Sequence, residues 1–211
     1  MRQIYWRITQ RGKIGIGLLL AVLVLFGLHQ QNKVSQGVYL DYAEDIPIMT
    51  DILPEDYKGR SGIKRQIRYV VIHETANRDV GSNASAHNEF LHSSVQKEVQ
   101  LSWHYTVDDK EIYHHLPDDE IAWHAGDRLK RKGGNVCGIG VEICVNEDGD
   151  YAKAVQNAAK LTANLLNVYE LDLNDVKQHY DFSGKNCPQR IRKEETWQEF
   201  LNQVEEYWLQ E

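Results

Sequence analysis

Short runs of β-branched and aromatic residues recur through the middle of the chain and predict strands. The first lies at residues 68–73 and has the apolar centre VVI. Three further runs lie at residues 103–107, 111–116 and 138–145. The segment DDK separates two of these runs and favours a hairpin between them. The middle of the chain therefore has the pattern of a β-sheet.

Helical spacing of apolar residues is clearest in the last third of the chain. In residues 151–169 the apolar positions step by one, three or four, which places them on one face of a helix. Residues 194–209 carry a second apolar stripe, which we interpret as core packing, and residues 85–93 predict a short helix. Strands mixed with helices indicate an α/β or α+β domain.

The N-terminus holds an unbroken apolar run at residues 14–28, which follows four basic residues. This is the layout of an export signal. Such a helix spans about 22 Å, short of a bilayer core of about 30 Å, and the polar residues 29–32 extend it. The residues that follow the apolar run lack the small side chains of a signal-peptidase cleavage site. We therefore favour an uncleaved signal anchor at residues 14–32 over a cleaved signal.

The basic residues before the apolar run set its orientation. An excess of Arg and Lys keeps residues 1–13 in the cytoplasm and places the rest of the chain outside. We expect a single-pass protein of the cell membrane with its domain on the extracellular side, and secretion is the alternative. A buried core helix is a weaker alternative, because nothing in the run is periodically polar.

The segment between the apolar run and the first predicted strand is polar. Residues 33–65 contain Pro47 and Pro54 and show no clear periodicity, so we interpret them as a linker or arm. The folded domain is expected to occupy residues 66–211.

Charge is unevenly distributed and excludes one class of partner. Five of the 24 basic residues and none of the 31 acidic residues fall in the first 33 positions. The rest of the chain therefore carries a formal charge of −12. A nucleic-acid backbone requires a basic face, so we expect no nucleic-acid binding.

The three cysteines of the chain cannot all pair. Cys137 and Cys144 are seven residues apart around a predicted strand, and an odd spacing points them to opposite faces, which disfavours a bridge. Cys187 is then left without a partner. An inert buried thiol and a functional thiol are the two interpretations of it.

The sharpest chemical pattern lies late in the chain. His179 and Cys187 are eight residues apart, and Gly184 and Asn186 permit a tight loop that turns both side chains to one point. A neutral imidazole and a thiolate are both good zinc ligands. His73, at the end of the first predicted strand, would complete a three-ligand site with one position open to water.

Five segments in chain order carry a family resemblance: YVVIHET, SWHYTVDD, AWHAGD, CGIGVEICVN and HYDFSGKNCP. Together they resemble the zinc-dependent N-acetylmuramoyl-L-alanine amidase family. That family includes many phage endolysin catalytic domains and shares its fold with peptidoglycan recognition proteins. The resemblance covers residues 66–190 and implies an α/β domain with a mixed central sheet flanked by helices.

The resemblance also implies a role for individual residues. The zinc ligands would be His73, His179 and Cys187, and the catalytic residues Glu142 and Lys185. His124 and Trp103 would contact substrate, with core packing as the alternative for Trp103. One departure is Glu74, since many members carry His or Tyr directly after the first ligand.

The expected activity is hydrolysis, by a zinc-activated water, of the bond between N-acetylmuramic acid and L-alanine in peptidoglycan. We expect the protein to act as a monomer. A non-catalytic peptidoglycan-binding module of the same fold is the alternative. A third interpretation, a structural zinc site, needs a fourth protein ligand, for which His104 and His115 are the candidates.

Overall fold

The structure is a computed structural model that describes residues 37–209. Its strands are β1 Tyr42–Ala43, β2 Ile46–Thr50, β3 Tyr69–Glu74, β4 Tyr105–Val107, β5 Ile112–His114, β6 Gly138–Ile143 and β7 Val176–Gln178. Its α-helices are α1 Ala84–His92, α2 Gly134–Cys137, α3 Tyr151–Val168, α4 Tyr180–Ser183, α5 Gln189–Lys193 and α6 Trp197–Trp208. Short 3-10 turns lie at Gln96–Glu98 and Leu173–Asp175.

The strands form one mixed sheet in the order β1-β2-β5-β4-β6-β3-β7. β3 lies between β6 and β7 and runs parallel to both, whereas β4 and β5 form the antiparallel hairpin that the sequence predicts. Val70, Val71 and Ile72 of β3 are fully buried. A strand that is buried on both faces has a continuous apolar run rather than an alternating one, which explains the VVI centre.

The long helix α3 packs on the sheet and α6 packs against α3, and both carry the apolar stripes expected from the sequence. α3 begins after Asp150, whose carboxylate accepts the backbone N–H of Lys153 (3.1 Å). Its apolar face joins the core that Phe200 and Val204 of α6 also enter. The prediction of a mixed sheet flanked by helices is confirmed, although α6 begins at Trp197, three residues later than expected.

The interpretation of residues 33–65 as a linker or arm is wrong for the described part of that segment. β2 pairs in parallel with β5 and places Ile48 opposite Ile112 in the core. Its partner is distant in the chain, and only Ile46 and Ile48 of its five residues are buried. Local periodicity was therefore too short to reveal the strand.

A largely buried ion pair holds residues 60–62 of this segment in place. The guanidinium of Arg60 donates two hydrogen bonds, both 2.9 Å, to the two carboxylate oxygens of Glu120. Gly62 adds a backbone N–H to the same carboxylate (2.8 Å). A bidentate Arg–carboxylate pair holds a fixed geometry, so residues 60–62 are held against the loop that leads to His124.

All three cysteines are buried and free. The predicted anchor at residues 14–32 lies outside the described residues. Within residues 37–209, no helix is long and apolar enough to cross a membrane.

Truncation of β2 tests whether this strand belongs to the cooperative fold. Ile48→Ala is expected to lower the free energy of unfolding by about 2–4 kcal/mol, because it leaves a cavity in the core. The control is Met49→Ala, at the neighbouring half-exposed position, with an expected change within about 0.5 kcal/mol. Urea denaturation measures both. Equal small losses would show that β2 adds nothing to the fold.

Candidate active site

The carboxyl ends of three parallel strands meet at one edge of the sheet. The register of β3 and β6 places His73 directly opposite Glu142. β7 lies on the other side of β3, and His179 follows it and donates its backbone N–H to the carbonyl of Ile72 (3.2 Å). Strand pairing alone therefore brings an imidazole, a carboxyl group and a second imidazole together.

Cys187 completes a buried cluster with the two histidines. The ligand atoms of His73, His179 and Cys187 all lie within 4.8 Å of one another. The Nδ1 atoms of His73 and His179 are 3.0 Å apart, and the Cys187 Sγ is 3.9 Å from the His73 Nδ1. The fold thus brings His179 and Cys187 next to His73, although they lie 106 and 114 positions after it in the chain.

These separations fit a tetrahedral metal ion. Zinc binds nitrogen at about 2.0–2.1 Å and sulfur at about 2.3 Å, so tetrahedral ligands lie roughly 3.4 Å apart for two nitrogens and 3.6 Å for nitrogen and sulfur. The observed 3.0 Å and 3.9 Å are close to these values. Two imidazoles and one thiol are also a donor set that favours zinc over magnesium or calcium.

Burial keeps the cluster in its neutral forms. It lowers the pKa of His73 well below the ordinary value, and the neighbouring His124 and His179 lower it further. Burial, followed by the charge of Lys185, lowers the pKa of His179 to about 4. Burial, followed by the charge of Glu142, raises the pKa of the Cys187 thiol to about 12. The imidazoles are therefore ready to bind a cation, while the thiol must release its proton on binding.

Glu74 holds the loop that carries Cys187. Its carboxylate accepts the backbone N–H groups of Arg190 (2.7 Å) and Ile191 (3.2 Å) at the start of α5, and the hydroxyl of Tyr151 (2.6 Å). An acid 7% exposed is costly unless it is paired in this way. The sequence identified Glu74 only as a departure from the family pattern, so its tethering role was missed.

Glu142 faces the cluster from the neighbouring strand. Its Oε1 is 3.7 Å from the His73 Nδ1, and its buried Oε2 has no hydrogen-bond partner among the described residues. Burial raises the pKa of Glu142 to about 8, although the charge of Lys185 opposes the shift. A carboxyl group with such a pKa exchanges protons near neutral pH, as a general acid/base requires.

A cleft opens beside Glu142. Lys185, Trp103, His87 and Phe90 line it together with Glu142. The indole N–H of Trp103 donates to the Thr106 hydroxyl (2.7 Å), and the residue is only 6% exposed. Trp103 thus belongs to the wall of the cleft and also packs in the core, and its contact with substrate stays a prediction.

His124 lies against the candidate ligand His73. Within the described part of the chain it is not part of the cleft wall, because it is buried behind His73. Its Nδ1 is 2.8 Å from the His73 Nε2, and its Nε2 is 3.2 Å from the carbonyl of Gly138. The contact of His124 with substrate therefore stays a prediction.

Neither candidate for a fourth ligand joins the cluster. The Nδ1 of His104 accepts the backbone N–H of Gly140 (3.0 Å), and its Nε2 bonds the carbonyl of Glu120 (3.0 Å). His115 hydrogen-bonds with Thr106 (2.9 Å) and with the side chain of Asn88 (3.1 Å). Both histidines are fully buried in other polar contacts, so they offer no closed, structural zinc site.

Three protein donors beside a cleft and a buried carboxyl group define a candidate metal site of the catalytic class. The comparison with known families agrees with this class. The family model described as N-acetylmuramoyl-L-alanine amidase matches residues 63–190. The chain therefore belongs to the N-acetylmuramoyl-L-alanine amidase family, as its motifs indicate.

Two amidases of Bacillus subtilis are among the curated relatives of this chain. The chain is similar to N-acetylmuramoyl-L-alanine amidase XlyA, with 41% identity over 155 residues that cover 74% of this chain and 50% of XlyA. It is 40% identical to the amidase CwlH over 159 residues, covering 75% of this chain and 61% of CwlH. It thus spans between half and two thirds of the length of these curated relatives.

Solved structures show the same fold. The structure of the catalytic domain of XlyA matches with a TM-score of 0.70 and 40% identity, over 75% of this chain and 99% of that domain. The catalytic domain of PlyG matches with a TM-score of 0.68 and 29% identity, over 77% of this chain and 96% of that domain. The likeness is therefore to the catalytic domains of such proteins.

Glu142 gives the metal-free protein a pH-dependent stability. Its folded pKa of about 8 lies above its ordinary 4.5, so the fold favours the protonated form. Glu142 does not lower the free energy of unfolding below pH 4.5, where it is protonated in both states. Its destabilising effect grows as the pH rises towards 8. Glu142→Gln is therefore expected to stabilise metal-free protein at pH 8 but not at pH 5, by at most about 4 kcal/mol.

Urea unfolding in the presence of a chelator, at pH 5 and pH 8, measures this difference. Glu147→Gln, at an exposed position on the loop after β6, is the matched control and should shift stability little at either pH. An effect of Glu142→Gln that is the same at both pH values would contradict the assignment.

Proposed function

We propose that this chain is a zinc-dependent amidase that hydrolyses the bond between N-acetylmuramic acid and L-alanine in bacterial peptidoglycan. The observation that carries the proposal is the buried cluster of His73, His179 and Cys187 with Glu142 beside it at the cleft. The relatives that are named N-acetylmuramoyl-L-alanine amidases support the choice of bond. We further propose that the protein acts as a monomer.

The proposed metal supplies one part of the chemistry. When bound, Zn²⁺ lowers the pKa of a water towards about 7 and polarises a carbonyl oxygen. The neutral imidazoles of His73 and His179 and the thiolate of Cys187 would hold it. Glu142 is near both the candidate ligands and the cleft, because its Oε1 is 3.7 Å from the His73 Nδ1 and its side chain lines the cleft.

The remaining steps belong to side chains of this chain. Glu142 takes a proton from the attacking water and passes it to the leaving amide nitrogen. Its position supports this role, because Glu142 lines the cleft and its Oε1 is 3.7 Å from the Nδ1 of the candidate ligand His73. Lys185, on the same cleft, stabilises the negative charge that develops on the carbonyl oxygen.

A non-catalytic peptidoglycan-binding module is the second candidate. It would need the cleft but would not need a general acid/base of raised pKa. The buried Oε2 of Glu142, which has no hydrogen-bond partner among the described residues, favours the enzyme. An unpaired buried carboxyl oxygen costs stability, and a catalytic role accounts for that cost.

Activity against cell walls tests the proposal. The full chain should release new L-alanine amino ends and lower the turbidity of a wall suspension, and a chelator should abolish both effects. Glu142→Gln is expected to keep its metal but lose activity by about 10²–10⁴-fold, because the proton carrier is removed. Cys187→Ala should lose metal and activity together.

Cys144→Ala is the matched control for Cys187→Ala. Both cysteines are buried and free, but Cys144 lies outside the ligand cluster, so its replacement should preserve metal content and activity. A folded, zinc-loaded wild-type protein that binds walls and releases nothing would instead establish the binding module.

We also propose that residues 14–32 anchor the protein in the cell membrane with its domain on the extracellular side. The support is the apolar run and the basic residues before it, all of which lie outside the described residues. Attachment would keep the domain close to the wall and so raise its effective concentration there.

Fractionation of native cells tests the anchor. Because an apolar helix holds the protein through lipid contacts, high salt should leave it on membranes and detergent should release it at full length. Recovery from the medium, with the chain cut after the apolar run, would contradict the anchor and support the secreted alternative.

A further inference from the structure

His124 bonds a candidate metal ligand from the side opposite the cluster. Its Nδ1 lies 2.8 Å from the His73 Nε2, whereas the His73 Nδ1 faces His179 and Cys187. Its ring stands edge-on to that of His73, with ring centroids 4.9 Å apart. His124 is 7% exposed, so substrate has little access to it.

The hydrogen bonds of His124 determine where its proton sits. The carbonyl of Gly138 can only accept, so the His124 Nε2 (3.2 Å away) must donate. A neutral ring that carries its proton on Nε2 has a lone pair on Nδ1, and that lone pair accepts from the His73 Nε2–H. His73 then has its own lone pair on Nδ1, the atom that faces the other two donors.

Neighbouring residues hold His124 in its observed position. The side-chain oxygen of Asn135 accepts the backbone N–H of both His124 (2.8 Å) and Ala125 (2.6 Å). The ring lies against Gly140, where an added Cβ would stand 2.9 Å from two of its atoms. Neither its backbone nor its ring can turn away from His73 without a clash or a lost hydrogen bond.

We propose that His124 is a positioning residue that fixes the tautomer of His73, so that the His73 Nδ1 is free to bind the metal. The inference rests on the metal site of the proposed function but not on hydrolysis. Without an acceptor at this place, the His73 proton can move to Nδ1 and block the ligand atom. Outer partners of metal-bound histidines commonly change metal affinity by about 10–100-fold.

Two replacements separate the acceptor from the bulk of the ring. His124→Asn places an amide oxygen near the position of the lost Nδ1 and is expected to keep zinc affinity within a few fold of wild type. His124→Leu fills the space without an acceptor and is expected to weaken zinc binding by about 10–100-fold. Competition with a chromogenic chelator measures both affinities on the full chain.

The matched control is His115→Leu. His115 is also fully buried and makes two side-chain hydrogen bonds, but it touches no candidate ligand. It should lower stability and leave zinc affinity unchanged. Equal loss of affinity in the Asn and Leu variants of His124 would overturn the inference, because only the bulk of the ring would then matter.

A second measurement needs no variant. In metal-free wild-type protein labelled with ¹⁵N at histidine, the ring nitrogen shifts of His73 should report a proton on Nε2. A proton on Nδ1 would overturn the inference, even if the enzyme is active. Conversely, protein that binds zinc and has the expected tautomer but hydrolyses nothing would refute the proposed activity alone.

Discussion

The parallel pairing of β3 with β6 and β7 is the constraint on which the candidate site depends. The register sets His73 opposite Glu142, and His179 follows β7 with its backbone bonded to Ile72. A slip of one residue would turn a whole strand to the other face and separate the carboxyl group from the imidazole. Burial of the VVI centre on both faces makes such a slip costly, so core packing defines the site geometry.

The same burial explains the chemistry of the cluster. It favours neutral imidazoles, a protonated thiol and a protonated carboxyl group, as the pKa shifts of His73, Cys187 and Glu142 show. Two imidazole nitrogens 3.0 Å apart leave room for only one proton between them. A divalent cation would satisfy both nitrogens and draw the proton from the thiol, so metal binding is expected to be coupled to the stability of this edge of the sheet.

The sequence predicted the elements that local periodicity determines, and it predicted the ligands through their motifs. The patterns of β3, the hairpin and α3 are local, because each is contained in one short stretch of sequence. His73, His179 and Cys187 lie in recognisable motifs. It missed β2 and the Arg60–Glu120 pair because their partners are distant in the chain. The same limit applies to His124, since its contact depends on which face of β6 the loop packs against.

β3 relates the parts of the site to one another. His73, the last but one residue of the strand, is a candidate ligand. Glu74, the last, tethers the start of α5 and so the loop with Cys187. His124 contacts the same strand from behind. One strand end thus positions two candidate ligands and contacts the hydrogen-bond partner of one of them. On the neighbouring strand, Glu142 lines the cleft together with Lys185.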